Sequence, residues 1–157
     1  VDVDARNKER RTPLMFACKT GREDVARFLL DAAADPTLRM KDESTAFDWA
    51  VLSGHLPTME LLADHPRVDM TALNRFGCAA VQWAAKEGNI ETLRWLQSKG
   101  LSLSHVNAAK YGAVAKAAWR GHADAVRWLL FAPDGPRLEE QLDLLDLQGD
   151  NVASVAR

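Results

Sequence analysis

A chain of 157 residues that is 47% hydrophobic and 27% charged is one domain's worth of sequence, with enough apolar side chains for a continuous core. Its net charge of −2 at pH 7 gives no global basic field that would draw it to nucleic acid or an anionic membrane. No apolar run approaches the roughly 18 residues of a membrane span, and no signal-peptide pattern stands at Val1, so a soluble protein is expected from a chain that begins without Met.

Charge is uneven along the chain. Residues 1–41 carry nine Lys/Arg against seven Asp/Glu, and residues 132–157 carry two against six. In chain order, Thr12-Pro13 opens the first helical pattern: Pro is suited to the first turn, where its missing N–H costs nothing, and Thr is an N-cap type. Thr45 is placed to cap in the same way. Four second helices follow, with apolar faces at Val25/Phe28/Leu29, Met59/Leu61/Leu62, Leu93/Trp95/Leu96 and Val126/Trp128/Leu129, recurring at helical spacing. Between the helices of each pair stands a glycine, Gly21, Gly54, Gly88 or Gly121. The intervals are 33, 34 and 33 residues, read off those positions, and such a period marks a repeat architecture.

Set on these glycines, the repeats span about 7–39, 40–73, 74–106 and 107–131. A partial fifth occupies 146–157, after an insertion at 132–145 that opens "APDGPR" and is expected to be a longer surface loop. The chain ends inside the fifth repeat, which predicts that the segment beyond Ala132 is the least stable unless a partner or further repeats cover it. Asn7, Asn74, Asn107 and Asp146 stand three residues before the first-turn residue we align in their repeats, where an Asx side chain satisfies turn backbone groups; Met40 breaks the series. The first helices are rich in small residues, such as Ala84-Ala85 and Ala117-Ala118, which let helices approach closely and receive the larger residues of a neighbouring repeat. Each repeat needs its neighbours, and loss of a terminal one is expected to lower stability in steps.

The sequence resembles the ankyrin repeat family, whose repeat reads D-x-x-G-x-T-P-L-H-x-A-A-x-x-G-H followed by an apolar second helix. Thr12-Pro13-Leu14, Gly54-His55, Gly121-His122 and Ala34-Asp35-Pro36 carry the match, which covers nearly the whole chain. Met15, Asp48, Gln82 and Ala115 stand where the motif has histidine. The resemblance implies an all-α fold, an ankyrin-type solenoid of stacked helix-turn-helix repeats with short hairpin-like loops. It also implies a concave face lined by hairpin tips and first-helix ends, through which such proteins contact partners.

By position in the repeat, the tips are Lys8, Glu9 and Arg11; Lys41, Asp42 and Ser44; Arg75, Phe76 and Cys78; and Ala108, Ala109 and Tyr111. The first-helix ends are Lys19-Thr20, Leu52-Ser53, Lys86-Glu87 and Trp119-Arg120. Phe76, Tyr111 and Trp119 are thus large aromatics expected to face solvent, and aromatic and arginine clusters are what interface hot spots are made of. The expected partner-binding residues are Arg75, Phe76, Lys86, Tyr111, Trp119 and Arg120. Trp49, Trp83, Trp95 and Trp128 fall at core columns. Lys116 stands where other repeats place Phe16, Trp49 and Trp83, so it either snorkels or marks a change of register. The gathering of Arg6, Lys8, Arg10, Arg11 and Lys19 predicts that the acidic part of an extended partner lies toward the first repeat.

Signatures of catalysis are missing. The chain has no Gly-rich phosphate loop, His-Glu-x-x-His, Cys-x-x-Cys or Gly-x-Ser-x-Gly. His55 and His122 resemble the family's structural Gly-His, with no partner ligand at zinc spacing; His65 and His105 are expected in solvated loops. Glu139, Glu140 and Asp143 read as a solvated face. Two cysteines 60 residues apart, Cys18 and Cys78, argue against a disulfide framework and for a reducing intracellular setting, cytoplasm or nucleus with an organelle left open. Cys18 reads as a small core hydrophobe.

The expectation is therefore a non-catalytic protein–protein interaction scaffold with no enzyme activity, no metal, no cofactor and no small-molecule substrate. Its partner is another protein, and the chain is monomeric by itself or part of a larger complex. The balanced charge between Asp42 and Phe131 argues against direct nucleic-acid binding. Two alternatives remain: a structural subunit of a large, possibly RNA-containing, assembly, and a regulatory repeat module of a larger enzyme.

Overall fold

The computed structural model describes residues 2–142. The chain forms two compact units, Val1–Arg75 and Phe76–Arg157, and among the described residues every regular element is helical. The expected fifth repeat at 146–157, including Asp146, and the tail of the expected insertion with Asp143 lie outside the described residues.

In the first unit, α1 (Pro13–Lys19) and α2 (Glu23–Asp31) form one repeat, and α3 (Ala46–Ser53) and α4 (Leu56–Ala63) the next. Thr12, in an extended conformation, caps α1: its hydroxyl accepts the Met15 N–H, and Pro13 takes the first turn. Thr45 caps α3 from both directions, since its Oγ1 accepts the Asp48 N–H and the Asp48 carboxylate accepts the Thr45 N–H at 2.8 Å. The glycines between helices, Gly21 and Gly54, hold φ of +64° and +67°, a left-handed turn that glycine makes without a Cβ penalty. Packing of α1 on α2 and α3, and of α2 on α4, buries Leu14, Met15, Cys18, Ala26, Phe47, Val51, Met59 and Leu62. The apolar face expected on α2 is different. Phe28 is 69% exposed and Val25 is exposed, whereas Ala26 is fully buried and Leu29 and Leu30 are half-buried.

The second unit repeats the plan with α5 (Ala80–Lys86), α6 (Ile90–Ser98), α7 (Ala113–Trp119), α8 (Ala123–Phe131) and a 3-10 turn at Glu139–Gln141. Helix α5 packs on α6 and α7, and α7 on α8. Ala80, Ala84, Ala85, Ala113 and Ala117 are fully buried, so the small first helices do approach closely. Gly88 shows why glycine recurs: at φ +68°, a Cβ there would stand 2.4 Å from His122 Cγ. The imidazole fills that space and donates from Nε2 to Lys86 O at 2.9 Å.

The hairpin tips carry a second periodic left-handed position. Arg10, Glu43, Gly77 and Lys110 have φ of 62°, 66°, 72° and 62°, so three side-chain-bearing residues accept a conformation that costs roughly 1–2 kcal/mol each. Backbone bonds close the tips at Arg10, Glu43 and Lys110, with Arg10 N–H to Asn7 O at 2.8 Å, Glu43 N–H to Met40 O at 3.1 Å and Lys110 N–H to Asn107 O at 2.9 Å. The Asn7 and Asn107 side chains accept two further tip N–H groups apiece. Where Met40 breaks that series, Asp42 supplies the acceptor, taking the Ser44 N–H at 3.0 Å. Ser44 and Cys78, expected at solvent-facing tips, are buried, since these residues lead directly into the first helical turns at Thr45 and Ala79.

At the motif-histidine position, the side chain in each of the first three repeats accepts the N-cap N–H, Met15 doing so through Sδ at 3.4 Å. Asp48 and Gln82 bond back to the helix start, Gln82 Oε1 accepting the Ala79 N–H and its Nε2 donating to His105 O, each at 2.9 Å. His105 is consequently no free loop residue; its Nε2 donates to Gly77 O at 2.8 Å. In the fourth repeat Ala115 reaches nothing polar, and the cap comes from Gln141. This side chain is buried, accepts the Val114 N–H and donates to Ser104 O, both at 3.1 Å. Gly112 makes the room, because a Cβ there would stand 2.2 Å from Gln141 Oε1. Replacement of Gln141 by Ala strips both bonds from a buried site and is expected to lower the second unit's unfolding free energy by about 1–2 kcal/mol. An unchanged denaturant midpoint would show that water replaces the bridge at no cost.

Candidate functional site

The expected site residues distribute between the two units. Phe76, Lys86, Tyr111, Trp119 and Arg120 belong to the second, and Arg75 to the first, where its N–H donates to Asp42 O at 2.8 Å.

In the second unit, the tip preceding α7 carries Tyr111 and the end of α7 carries Trp119. Their rings meet edge to face, with centroids 5.7 Å apart at 90°, an arrangement worth about 0.5–1.5 kcal/mol beyond area burial. Trp119 nevertheless keeps 61% of its surface in solvent, and Tyr111 is half-buried. Lys116 retains the repeat's register and snorkels, its Nζ lying 5.3 Å from the Tyr111 ring centre. Lys86 rests over Trp83 at 5.2 Å. Arg120 is exposed, and so is Phe76, whose carbonyl accepts the Ala108 N–H and joins one tip to the next.

Sequence position alone did not reveal a parallel cluster in the first unit. Trp49 of α3 is buried under side chains of the preceding repeat. Phe16 meets it edge-on at 6.0 Å, the Arg11 guanidinium lies 5.0 Å from its ring centre, and Lys19 Nζ lies 4.8 Å away. Arg11, Phe16 and Lys19 occupy the repeat positions that Tyr111, Lys116 and Trp119 occupy in the fourth repeat. One site reads cation, aromatic, cation; the other reads aromatic, cation, aromatic. The period of the glycines makes that correspondence readable, once the tip and helix-end columns are followed as columns.

Of the other tryptophans assigned to the core, Trp128 is buried, whereas Trp83 and Trp95 are half-buried. The Trp128 indole lies beneath Arg94 at 5.6 Å, Arg94 pairs with Asp134 at 2.7 Å, and Trp128 Nε1 donates to Asp134 at 3.5 Å. The "APDGPR" segment is thus tied to the repeat core, and Leu138 beyond it is buried, donating from its N–H to Leu129 O.

Reactive groups are subdued. Burial pushes the Cys18 thiol up to about 12, which keeps it protonated and poorly nucleophilic. Asp48 is raised to about 6 by burial, against hydrogen bonds from Thr45 that act in the opposite sense. Its carboxylate is spent on capping α3 rather than facing a cleft. His55 Nδ1 shares a hydrogen bond with Thr58 Oγ1 at 2.8 Å. Among the described residues no cluster of His, Cys, Asp or Glu has metal-binding geometry, and no helix is long and apolar enough to cross a membrane.

Comparison with known proteins agrees with this architecture. Residues 1–74 match a model described as "Ankyrin repeats (3 copies)", and residues 81–130 match "Ankyrin repeats (many copies)". The chain belongs to the ankyrin repeat family. It is similar to ankyrin repeat domain-containing protein 63 of Homo sapiens, with 35% identity over 137 residues, covering 81% of this chain and 35% of that protein. The Mus musculus protein of the same name is 34% identical over 135 residues, covering 81% of this chain and 34% of its own length. An ankyrin repeat and KH domain-containing protein of Caenorhabditis briggsae is 28% identical over 131 residues, covering 82% of this chain and 5% of its own length. The chain therefore spans about a third of the length of the mammalian relatives. Ankyrin repeats are generally protein–protein interaction modules, typically without enzymatic activity.

Proposed function

We propose that the chain is a non-catalytic scaffold that binds a partner protein through the surface of its third and fourth repeats. Trp119 and Tyr111 are the apolar anchors, and Phe76, Lys86 and Arg120 flank them. Arg75 belongs to the first unit and is a proposed partner contact there by its place at a hairpin tip alone. The observation that carries this reading is the Tyr111–Trp119 pair. A large indole left 61% exposed packs edge-on against tyrosine, and such a contact lowers the side-chain entropy that docking has to remove. An exposed tryptophan paired with a tyrosine, with Lys116 at the tyrosine ring and Arg120 next in the chain, has the composition of an interface hot spot.

The test is a pull-down from cell extract with wild type, Trp119→Ala and Tyr111→Ala. Each truncation is expected to cost about 2 kcal/mol of binding. Trp119→Ala should melt only slightly lower than wild type, because it loses the ring pair but its ring is mostly outside the core. Tyr111→Ala also loses the ring pair and should melt slightly lower. If both variants keep every partner at wild-type level, the surface assignment fails.

A further inference from the structure

We propose that Arg11 and Lys19, gathered on the Trp49 ring, form a carboxylate-binding subsite in the first unit, and that its occupant is an acidic, extended segment of a partner protein. The inference shares with the scaffold reading only the premise that the chain binds proteins; it rests on different residues in the other compact unit.

Both cations are held by the ring rather than by an anion. Among the described residues neither forms an ion pair, and the buried Arg11 Nε has no hydrogen-bond partner. The nearby acids are engaged elsewhere: Glu9 pairs with Lys41 at 3.4 Å, and Asp42 accepts the Ser44 N–H through its side chain and the Arg75 N–H through its carbonyl. The two cations lie 4.8 and 5.0 Å from the same ring centre, and an incoming carboxylate supplies the anion that neither has among the described residues. The ring fixes the cations in advance, which lowers the ordering cost of recognition. Arginine adds donors in a planar fork that matches a carboxylate. Phe16, 44% exposed beside the pair, offers an apolar contact to a residue next to the acid. The acids Glu9, Asp42 and Glu43 interleave with the cations on the same tips, so the surface repels a continuous phosphate backbone and tolerates a discrete carboxylate. That mixture favours an acidic peptide over a nucleic acid.

The experiment measures fluorescence anisotropy of a labelled peptide in which single Glu and Asp residues are spaced by Leu, Ser and Gly, against the full chain at about 50 mM salt, where surface electrostatics are weakly screened. Its counterpart has Gln and Asn for Glu and Asp, and a third arm uses labelled single-stranded oligothymidylate. The acidic peptide is expected to bind and the neutral one to fail. Lys19→Gln and Arg11→Gln should each weaken binding about fivefold or more, and the paired change Lys8→Gln with Arg10→Gln no more than about twofold, since fixed pairs act more strongly than screened surface charge. Lys19 is exposed, so its variant tests the subsite even if Arg11→Gln loosens Trp49. Trp119→Ala should leave the peptide's affinity unchanged, which separates this subsite from the surface on the second unit. Equal binding of the neutral peptide, an equal loss from the Lys8/Arg10 pair, or tighter binding of oligothymidylate would each overturn the proposal.

Discussion

Replacement of Trp128 by Ala is expected to remove about 3–5 kcal/mol from the unfolding free energy of the second unit, through lost burial and the cavity left behind. The magnitude follows from its surroundings. The indole is only 5% exposed, it underlies Arg94, and its N–H reaches the same Asp134 carboxylate that pairs with Arg94. Truncation therefore opens a cavity in α8 and also unseats the contact that ties the 132–137 segment to the repeat. Trp95 provides the contrast. It occupies the analogous place in α6, but its ring is half-buried with Lys99 Nζ lying over it at 5.3 Å, so Trp95→Ala should cost clearly less. Denaturant unfolding of both variants checks the pair; equal losses would mean that burial does not rank these two sites.

The repeat period, the helix pairs and the inter-helix turns were legible in sequence because each depends on a residue type with a strong physical reason. Gly21, Gly54, Gly88 and Gly121 sit in left-handed turns, and Thr12 caps the helix that Pro13 begins. Other features were hidden because local pattern does not encode them. Nothing in "LEEQ" announces that Gln141 caps a helix starting 28 residues earlier, since the signal lies in two absences, the missing side chain at Gly112 and the missing polar group at Ala115. His105 looked like a loop residue because its bond to Gly77 O is a tertiary contact. The exposure of Phe28 escaped the periodicity for a related reason: helical spacing shows that Val25, Phe28 and Leu29 share a face, but only packing decides whether that face is covered. The candidate surface was half legible. The helix-end column placed Trp119 in solvent, where it is 61% exposed, but the tip column did not show that Tyr111 is half-buried against it, and the cation pair on Trp49 needed coordinates, because it joins side chains from two repeats.

The second large effect is electrostatic. The Asp48 carboxyl titrates near 6 in the folded protein against an ordinary value of 3.8, chiefly because burial disfavours its charged form. Below about pH 4 both folded and unfolded chains hold the proton, and the group costs nothing. Between about 4 and 6 the unfolded chain has released the proton while the folded one retains it, so stability falls as pH rises through this window. Above about 6 the buried carboxylate is charged and the full penalty applies, on the order of 3 kcal/mol for a displacement of this size. Asp48→Asn keeps an oxygen that can accept from the Thr45 N–H and hydroxyl and never ionises. The variant is expected to match wild type near pH 4 and to exceed it at pH 7, with a flatter profile between. Asp35 and Asp69 shift in the opposite sense through hydrogen bonds from Thr37 and Thr71, and they are common to both proteins, so they cancel in the difference. Urea unfolding of the two proteins across that range decides the matter: parallel profiles would mean that the Thr45 hydrogen bonds already offset the cost of burying the charge at α3.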